Sequence, residues 1–398
     1  MRITVISPSV DRHHGTERAV AEFIERLVAQ HNDHVDLYAQ RVSDLNPGAL
    51  SDNTANDSAK ITWYRVNTFP GPHLLQFLGW LFLNRRARRR NQQTSDVIFS
   101  PGINAFDADV ILVHAMFHRV AELQQSRPSE GLRGLHRKLY YALLCYLERR
   151  VYKNPRVKLA AVSRHTADQL ARYFARNDVT VIPNGVDSNH FSPQAIGAMR
   201  ERYRQQWNCS PQDFVILLVG NDWHNKGLAT LLQSIAQCRD LPLRLLLVGQ
   251  DERTAFRSRA EKLSISERVQ FPSPVEDIRT VYAAADLLVA PSLEDSFNLP
   301  VLEAMSCGLP VIVSPRAGVS EWLTDSHDSV VLKNPENAEE LSAAIRKLAR
   351  DPAARDAMAA NAIQTAKKFS WDAHAGQLRK LLVQAGEEKL RRSSQPRN

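Results

Sequence analysis

The segment Asp286–Ser314, DLLVAPSLEDSFNLPVLEAMSCGLPVIVS, holds the densest chemistry in the chain. It reads as strand, loop, helix and strand, with Pro300 suited to a first helical turn and Gly308 to a helix end. A helix starting at Leu299 or Pro300 would aim the amides of Phe297, Asn298 and Leu299 outward, a ready phosphate site. Asp295 in the loop and Glu303 in the helix stand eight positions apart. Two carboxylates on one phosphate would repel each other, so Glu303 is expected to accept from a ribose diol and Asp295 from sugar hydroxyls. The plainer alternative makes Glu303 a helix-face acid and Asp295 a cap. In VGNDWHNKGLATLL a strand ends at Val219-Gly220, and a loop through Asn221 delivers Lys226-Gly227 to a helix start. An ammonium there can neutralise charge growing on a departing phosphate; a solvated surface lysine is the default. In DRHHGTERAV, Gly15 lets the backbone pass close to a ligand and Thr16 opens a helix, although a cap without ligand fits equally. His114 ends the strand VILV and reads either as a satisfied structural histidine or as a contact to a sugar hydroxyl.

These groups can act together only if the chain brings them to sheet edges. Short apolar runs alternate with longer helical patterns, which implies parallel strands with crossover helices. The first half predicts strands at 3–7, 35–38, 61–66, 96–100, 110–114, 159–163 and 179–182. The second predicts 214–219, 243–248, 269–271, 287–290, 311–314 and 329–332. Helices such as Thr16–Gln30 and Leu228–Cys238 lie between them, each just after a glycine. A chain of 398 residues exceeds one ordinary core. The expected fold is α/β, two Rossmann-like doubly wound parallel-sheet domains facing across a cleft. The break follows Pro183-Asn184-Gly185, giving domains at 1–190 and 191–370 and a closing segment at 371–398. Ser51–Lys60 reads as a surface loop and Glu387–Asn398 as a frayed tail.

With the residues in view, Asp286–Ser314 resembles glycosyltransferase family 4, the retaining GT-B glycosyltransferases, whose signature is two acids spaced E-x7-E. Asp295 and Glu303 match it, with Asp295 for the usual glutamate and Asn298 where glycine is common. Gly249 after LRLLLV, and the stretches VQFPSPVEDIRTVYAAADLLVAPS, VIPNGVDSNHFSP, AAVSRHTADQL and FSWDAHAGQL, extend the resemblance over most of 155–385. Residues 1–154 match more weakly, through the first strand, the glycine turn and His114. The resemblance implies an acceptor-binding first domain, a nucleotide-sugar-binding second domain and a last helix returning to the first. It implies transfer of a hexose from a nucleoside diphosphate to a hydroxyl with retained configuration. Lys226 would meet the β-phosphate, Gly15, Thr16, Asn221 and Gly249 would line the donor, and His114 would touch the sugar or acceptor. The family's usual arginine beside the lysine is replaced by Asn221 and Asn225, with Arg316 as a possible substitute. GNDWHNKGL resembles the family's lipopolysaccharide-core glucosyltransferases, which implies UDP-glucose. The rival readings are a catalytically weak or inactive nucleotide-sugar-binding subunit and a GT-B sugar-nucleotide epimerase or phosphorylase, the last of which would need pyridoxal phosphate.

The net charge is +8, and residues 1–190 carry 25 Lys/Arg against 18 Asp/Glu. That excess suggests an anionic glycan or glycolipid acceptor in the cell envelope. In HLLQFLGWLFLNRRARRR an apolar run meets five arginines between Arg85 and Arg90, which fits contact with an anionic inner-membrane surface or, alternatively, a core helix with a solvated basic end. Trp80 and Phe82 lie outside the arginine cluster, so no nucleic acid is expected. The cysteines Cys145, Cys209, Cys238 and Cys307 are scattered, as in a reducing cytosol, and the N-terminus lacks a signal-peptide layout. The expected location is cytoplasmic, peripheral to the membrane. Asp107-Ala108-Asp109 superficially matches a D-x-D metal motif but precedes a strand, and the pair His114 and His118 lacks an evident third ligand. No cofactor and no metal are expected.

Overall fold

The computed structural model describes residues 1–45, 50–52, 60–69, 71, 73–91, 95–125, 131–272 and 275–394. It divides into two compact units, Met1–Asn184 with Trp371–Asn398, and Gly185–Ser370.

The first unit begins with β1 (Arg2–Ile6), β2 (Ser9–Val10) and α1 (Gly15–His31). β3 (His34–Ala39), β4 (Arg41–Val42), β5 (Leu50–Asp52), β6 (Ile61–Arg65) and α2 (His73–Asn91) follow. Next come β7 (Val97–Pro101), β8 (Val110–Val113), α3 (Phe117–Gln125) and α4 (Gly131–Tyr152). β9 (Lys158–Ala161), α5 (Arg164–Phe174) and β10 (Thr180–Val181) complete the first run. Eight strands form one parallel sheet in the order β10-β9-β8-β7-β1-β3-β6-β5, while β2 and β4 make a separate pair. β8 is buried along its whole length, as apolar runs covered on both faces must be. Tyr64, Trp80, Ile111, Leu147 and Leu170 join one core from several elements.

The second unit opens with α6 (Pro193–Gly197) and α7 (Arg200–Gln206). It continues through β11 (Phe214–Val219), α8 (Leu228–Gln237), β12 (Leu243–Val248), α9 (Thr254–Lys262), β13 (Val269–Gln270) and α10 (Arg279–Ala284). β14 (Leu287–Ala290), α11 (Leu299–Ser306), β15 (Val311–Val313), β16 (Val330–Val331), α12 (Ala338–Arg350) and α13 (Pro352–Ala366) close it. Its six parallel strands run β13-β12-β11-β14-β15-β16, which in unit order is 3-2-1-4-5-6. Leu218, Leu231, Leu245, Leu287 and Ile345 belong to its core.

The last helix, α14 (Trp371–Ser393), belongs to the first unit. Arg379 binds Asp33 at 2.7 Å, Lys389 binds Asp109 at 2.9 Å, and Lys158 binds Glu388 at 2.7 Å. Those pairs, with Ala385 buried, keep the helix going to Ser393 where a frayed tail was expected from Glu387. Ser51 and Asp52 likewise fall in the edge strand β5 rather than in a loop, because their backbone pairs with Thr62 and Trp63; residues 53–59 lie outside the described residues.

Candidate active site

In a doubly wound sheet the crevice lies where strand order reverses, beyond the strands' carboxyl ends. In the second unit that point is between β11 and β14, so the loops after Val219 and after Ala290 meet there. Asn225 ties them together: its carbonyl accepts from Leu293 N at 2.7 Å, and its Nδ2 donates to Glu294 O at 2.7 Å. Gly227 caps α8 with φ +74°, and a Cβ there would lie 2.0 Å from Pro291 O. The Lys226 side chain crosses Gly220 and brings its Nζ to 2.6 Å from Asp295 Oδ2. The two side chains are 18% and 15% exposed, enough to admit a ligand and little enough to strengthen the pairing.

The other Asp295 oxygen, Oδ1, accepts from Phe297 N at 3.1 Å. The Asp295 backbone is fixed by Arg316 O at 3.1 Å and Gly318 N at 2.9 Å. The Phe297 amide thus holds a carboxylate oxygen, and those of Asn298 and Leu299 follow it at the start of α11. Asn298 has φ +76°, a left-handed conformation that glycine adopts without strain and asparagine tolerates better than most other residues. Its Nδ2 donates to Ser292 Oγ at 3.3 Å, while the buried Oδ1 has no partner among the described residues.

Glu303 sits in the second turn of α11. It is 5% exposed, and its Oε2 accepts from Tyr282 OH at 2.6 Å. Tyr282, on α10, was not singled out from sequence; the only signal was a tyrosine among alanines in VYAAAD. Asn221 accepts from Gln250 N at 2.7 Å and so braces the loop. A Cβ on Gly249 would lie 2.1 Å from Gly220 O, so close packing of two strand ends already requires glycine there. The Arg316 guanidinium pairs with Glu336 at 3.1 Å, while its carbonyl accepts from Asp295 N.

In the first unit Gly15 and Thr16 are the opening residues of α1, so Gly15 is helical rather than a turn before the helix. His13 N and His14 N donate to Asp11 Oδ1 at 2.9 and 3.0 Å, and that turn sets the helix start. His114 follows β8, and its ring lies beside Asn184, the Leu112 backbone and the His374 imidazole. Burial, helped by the His374 imidazole, pushes the His114 pKa down to about 3. Burial also lowers His374 to about 4, although its Nδ1 donates to Pro183 O at 2.8 Å. His114 is therefore a neutral hydrogen-bonding group near pH 7.

These shifts predict acid sensitivity. Both folded pKa values lie below the unfolded value of about 6.5, so the stability these histidines contribute is complete above that pH and is lost progressively as pH falls from there to the folded values of about 3 and 4. Between pH 6 and 5 the two together should remove about 2 kcal/mol. Urea unfolding at a series of pH values checks this, and His114→Gln should roughly halve the slope there.

Among the described residues, His118, Cys145 and Glu148 could bring three metal-ligand atoms within 4.8 Å of one another. The Glu148 carboxylate is already taken: it accepts from Phe117 N at 2.7 Å, His118 N at 2.9 Å and His118 Nδ1 at 2.7 Å, and so caps α3. Burial raises the Cys145 thiol to about 11, away from the thiolate a metal needs. Asp107 pairs with Arg88 at 2.8 Å and Asp109 with Lys389, so the D-x-D acids serve packing.

Two Rossmann-like units with all-parallel sheets, one presenting an ammonium and helix amides at its switch point, define the GT-B class. The chain belongs to glycosyltransferase family 4: the model of Glycosyltransferase Family 4 matches residues 13–190, and that of glycosyl transferases group 1 matches 199–365. It is 32% identical over 186 residues to the lipopolysaccharide glucosyltransferase WaaG of Escherichia coli K12, covering 46% of this chain and 50% of that one. It is 32% identical over 247 residues to a D-inositol 3-phosphate glycosyltransferase of Corynebacterium jeikeium K411, covering 59% and 58%. The chain thus matches between half and three-fifths of the length of these curated relatives. The fold is similar to the crystal structure of WaaG, with TM-score 0.79 and 21% identity over 96% of this chain and 99% of that one. It is also similar to Anabaena Alr3699/HepE in complex with UDP-glucose, with TM-score 0.73 and 20% identity over 96% and 100%.

Proposed function

We propose that this chain is a retaining, metal-independent hexosyltransferase that moves a sugar from a nucleoside diphosphate, UDP-glucose being the first candidate, to a hydroxyl of an anionic cell-envelope glycan or glycolipid. The observation that carries this reading is the Lys226 ammonium held beside Asp295 at the start of α11. As the bond from the sugar's anomeric carbon to the diphosphate breaks, Lys226 and the free α11 amides stabilise the departing oxygen. The acceptor oxygen forms its bond on the same face, and its proton passes to the leaving phosphate. No side chain has to be a strong base, which agrees with a neutral His114 that only hydrogen-bonds to sugar or acceptor. Asp295 and Glu303 position the sugar and ribose. The GNDWHNKGL stretch and the glucosyltransferase name of the Escherichia coli relative support glucose. The inositol-phosphate name of the Corynebacterium relative supports an anionic acceptor. Calorimetric titration with a panel of nucleotide sugars, followed by donor hydrolysis in chelator, tests it. One donor should bind and be cleaved slowly, with the released sugar first appearing as the donor's anomer by NMR. Binding of none would sink the reading and favour the inactive subunit.

A place on the cytoplasmic membrane surface belongs to the same reading. No described helix is long and apolar enough to cross a membrane. One side of α2 is buried through Trp80, Leu81 and Asn84. Leu75, Leu78 and Phe82 are 61%, 37% and 67% exposed, and at three- and four-residue spacing the stripe continues into exposed Arg85 and Arg89. The chain should co-sediment with vesicles containing anionic lipid and not with neutral ones, and Phe82→Glu should weaken that binding severalfold. Equal sedimentation of both proteins with both vesicles would remove α2 from the account.

A further inference from the structure

We propose that Asp295 is an internal stand-in for phosphate: its carboxylate occupies the phosphate position in the unliganded protein, is exchanged for the donor diphosphate, and then engages the sugar. The proposal rests on the donor reading above and adds an order of events to it.

One carboxylate oxygen of Asp295 takes the Lys226 ammonium at 2.6 Å, and the other takes Phe297 N at 3.1 Å. An ammonium and an amide beside a helix start are the donors that suit a phosphate oxygen. Both carboxylate oxygens are thus bound as an anion would be, and neither is directed at sugar hydroxyls. The donors are held independently of the carboxylate. Lys226 is placed by its crossing of Gly220 and by Gly227 packed on Pro291. The Asp295 backbone is held by Arg316 O and Gly318 N, so a turn of the side chain alone releases both contacts. Asn298 Oδ1, in a residue 5% exposed at the start of α11, has no partner among the described residues and as an acceptor suits a sugar hydroxyl rather than the phosphate.

The exchange has a consequence for affinity. A nucleoside diphosphate must displace the carboxylate and gives it no new partner. A nucleotide sugar displaces it and offers hydroxyls in return. Asp295 therefore makes the protein favour the intact donor over the spent nucleotide, a useful bias after transfer.

The test is calorimetric titration of the full chain with UDP, inorganic pyrophosphate and UDP-glucose, for wild type and Asp295→Asn. The variant should bind UDP and pyrophosphate about tenfold tighter, since one charge-assisted competitor is gone. It should lose the wild-type preference for UDP-glucose over UDP and should cleave donor more slowly. Damage to the fold would not tighten UDP, and unchanged thermal midpoints are the control. Should the Asn variant melt early, Asp295→Ser carries the same expectation. If wild type binds UDP-glucose but the variant binds UDP no tighter, this proposal fails and the donor reading stands. If wild type binds none of the three, both fail.

Discussion

Lys226→Ala is expected to slow donor cleavage by about 10²–10³-fold, the usual effect of removing one preorganised group from a developing oxyanion. The loss should fall on kcat more than on KM, because the charge that Lys226 meets grows as the glycosidic bond breaks. Stability should hardly change. Among the described residues the lysine's ionic partner is Asp295; the pair is only partly buried and the carboxylate left behind keeps Phe297 N, so the loss should stay near about 1 kcal/mol. The loop stays braced through Asn225 and Gly227, whose contacts do not involve the lysine side chain. The measurement is single-turnover donor hydrolysis beside thermal unfolding. A variant within threefold of wild type in rate would remove Lys226 from the chemistry, and one that unfolds early would make it a structural residue.

The separation between those outcomes reflects which parts of the site could be read in the sequence. β11, β12 and β14 have the bounds expected from their apolar runs, because strands buried on both faces leave no polar residue to blur the ends. β2, β4 and β5 escaped notice, since two or three residues in edge or isolated pairings carry no alternation to detect. Lys226 and Asp295 were legible as types at helix starts. Their pairing was not: they are 69 positions apart, and only the tie between two loops brings them to 2.6 Å. Asn225 makes that tie while sitting where a cation was sought, so its real work looked like a deficiency. His114 was legible as a strand-end histidine, but its lowered pKa depends on burial and on His374, which lies 260 positions further on. The buried Tyr282–Glu303 pair escaped for the same reason.

Gly227→Ala should do what Lys226→Ala does not, lowering stability and activity together. The residue has φ +74°, which costs an alanine about 1 kcal/mol before any contact is considered. Its Cβ would also stand 2.0 Å from Pro291 O, a backbone atom that no side-chain rotation can move. Relief requires α8 and the loop after β14 to part, and that separation strains the Asn225 ties to Leu293 and Glu294. Strain and lost packing together should destabilise Gly185–Ser370 by about 3 kcal/mol, lowering its midpoint by about 6–12 °C. Because the parting loops carry Lys226 and Asp295, donor cleavage should fall about 10²-fold at temperatures where the variant is still folded, as a misplacement near 1 Å can produce. Gly376→Ala is the matched control: it lies inside α14 with nothing within 4 Å of its Cβ position, and alanine there should be neutral or stabilising by up to about 1 kcal/mol. Differential scanning calorimetry and hydrolysis rates on both variants decide the matter. A Gly227→Ala protein as stable and as active as wild type would mean that the contact with Pro291 is not what holds the two loops together.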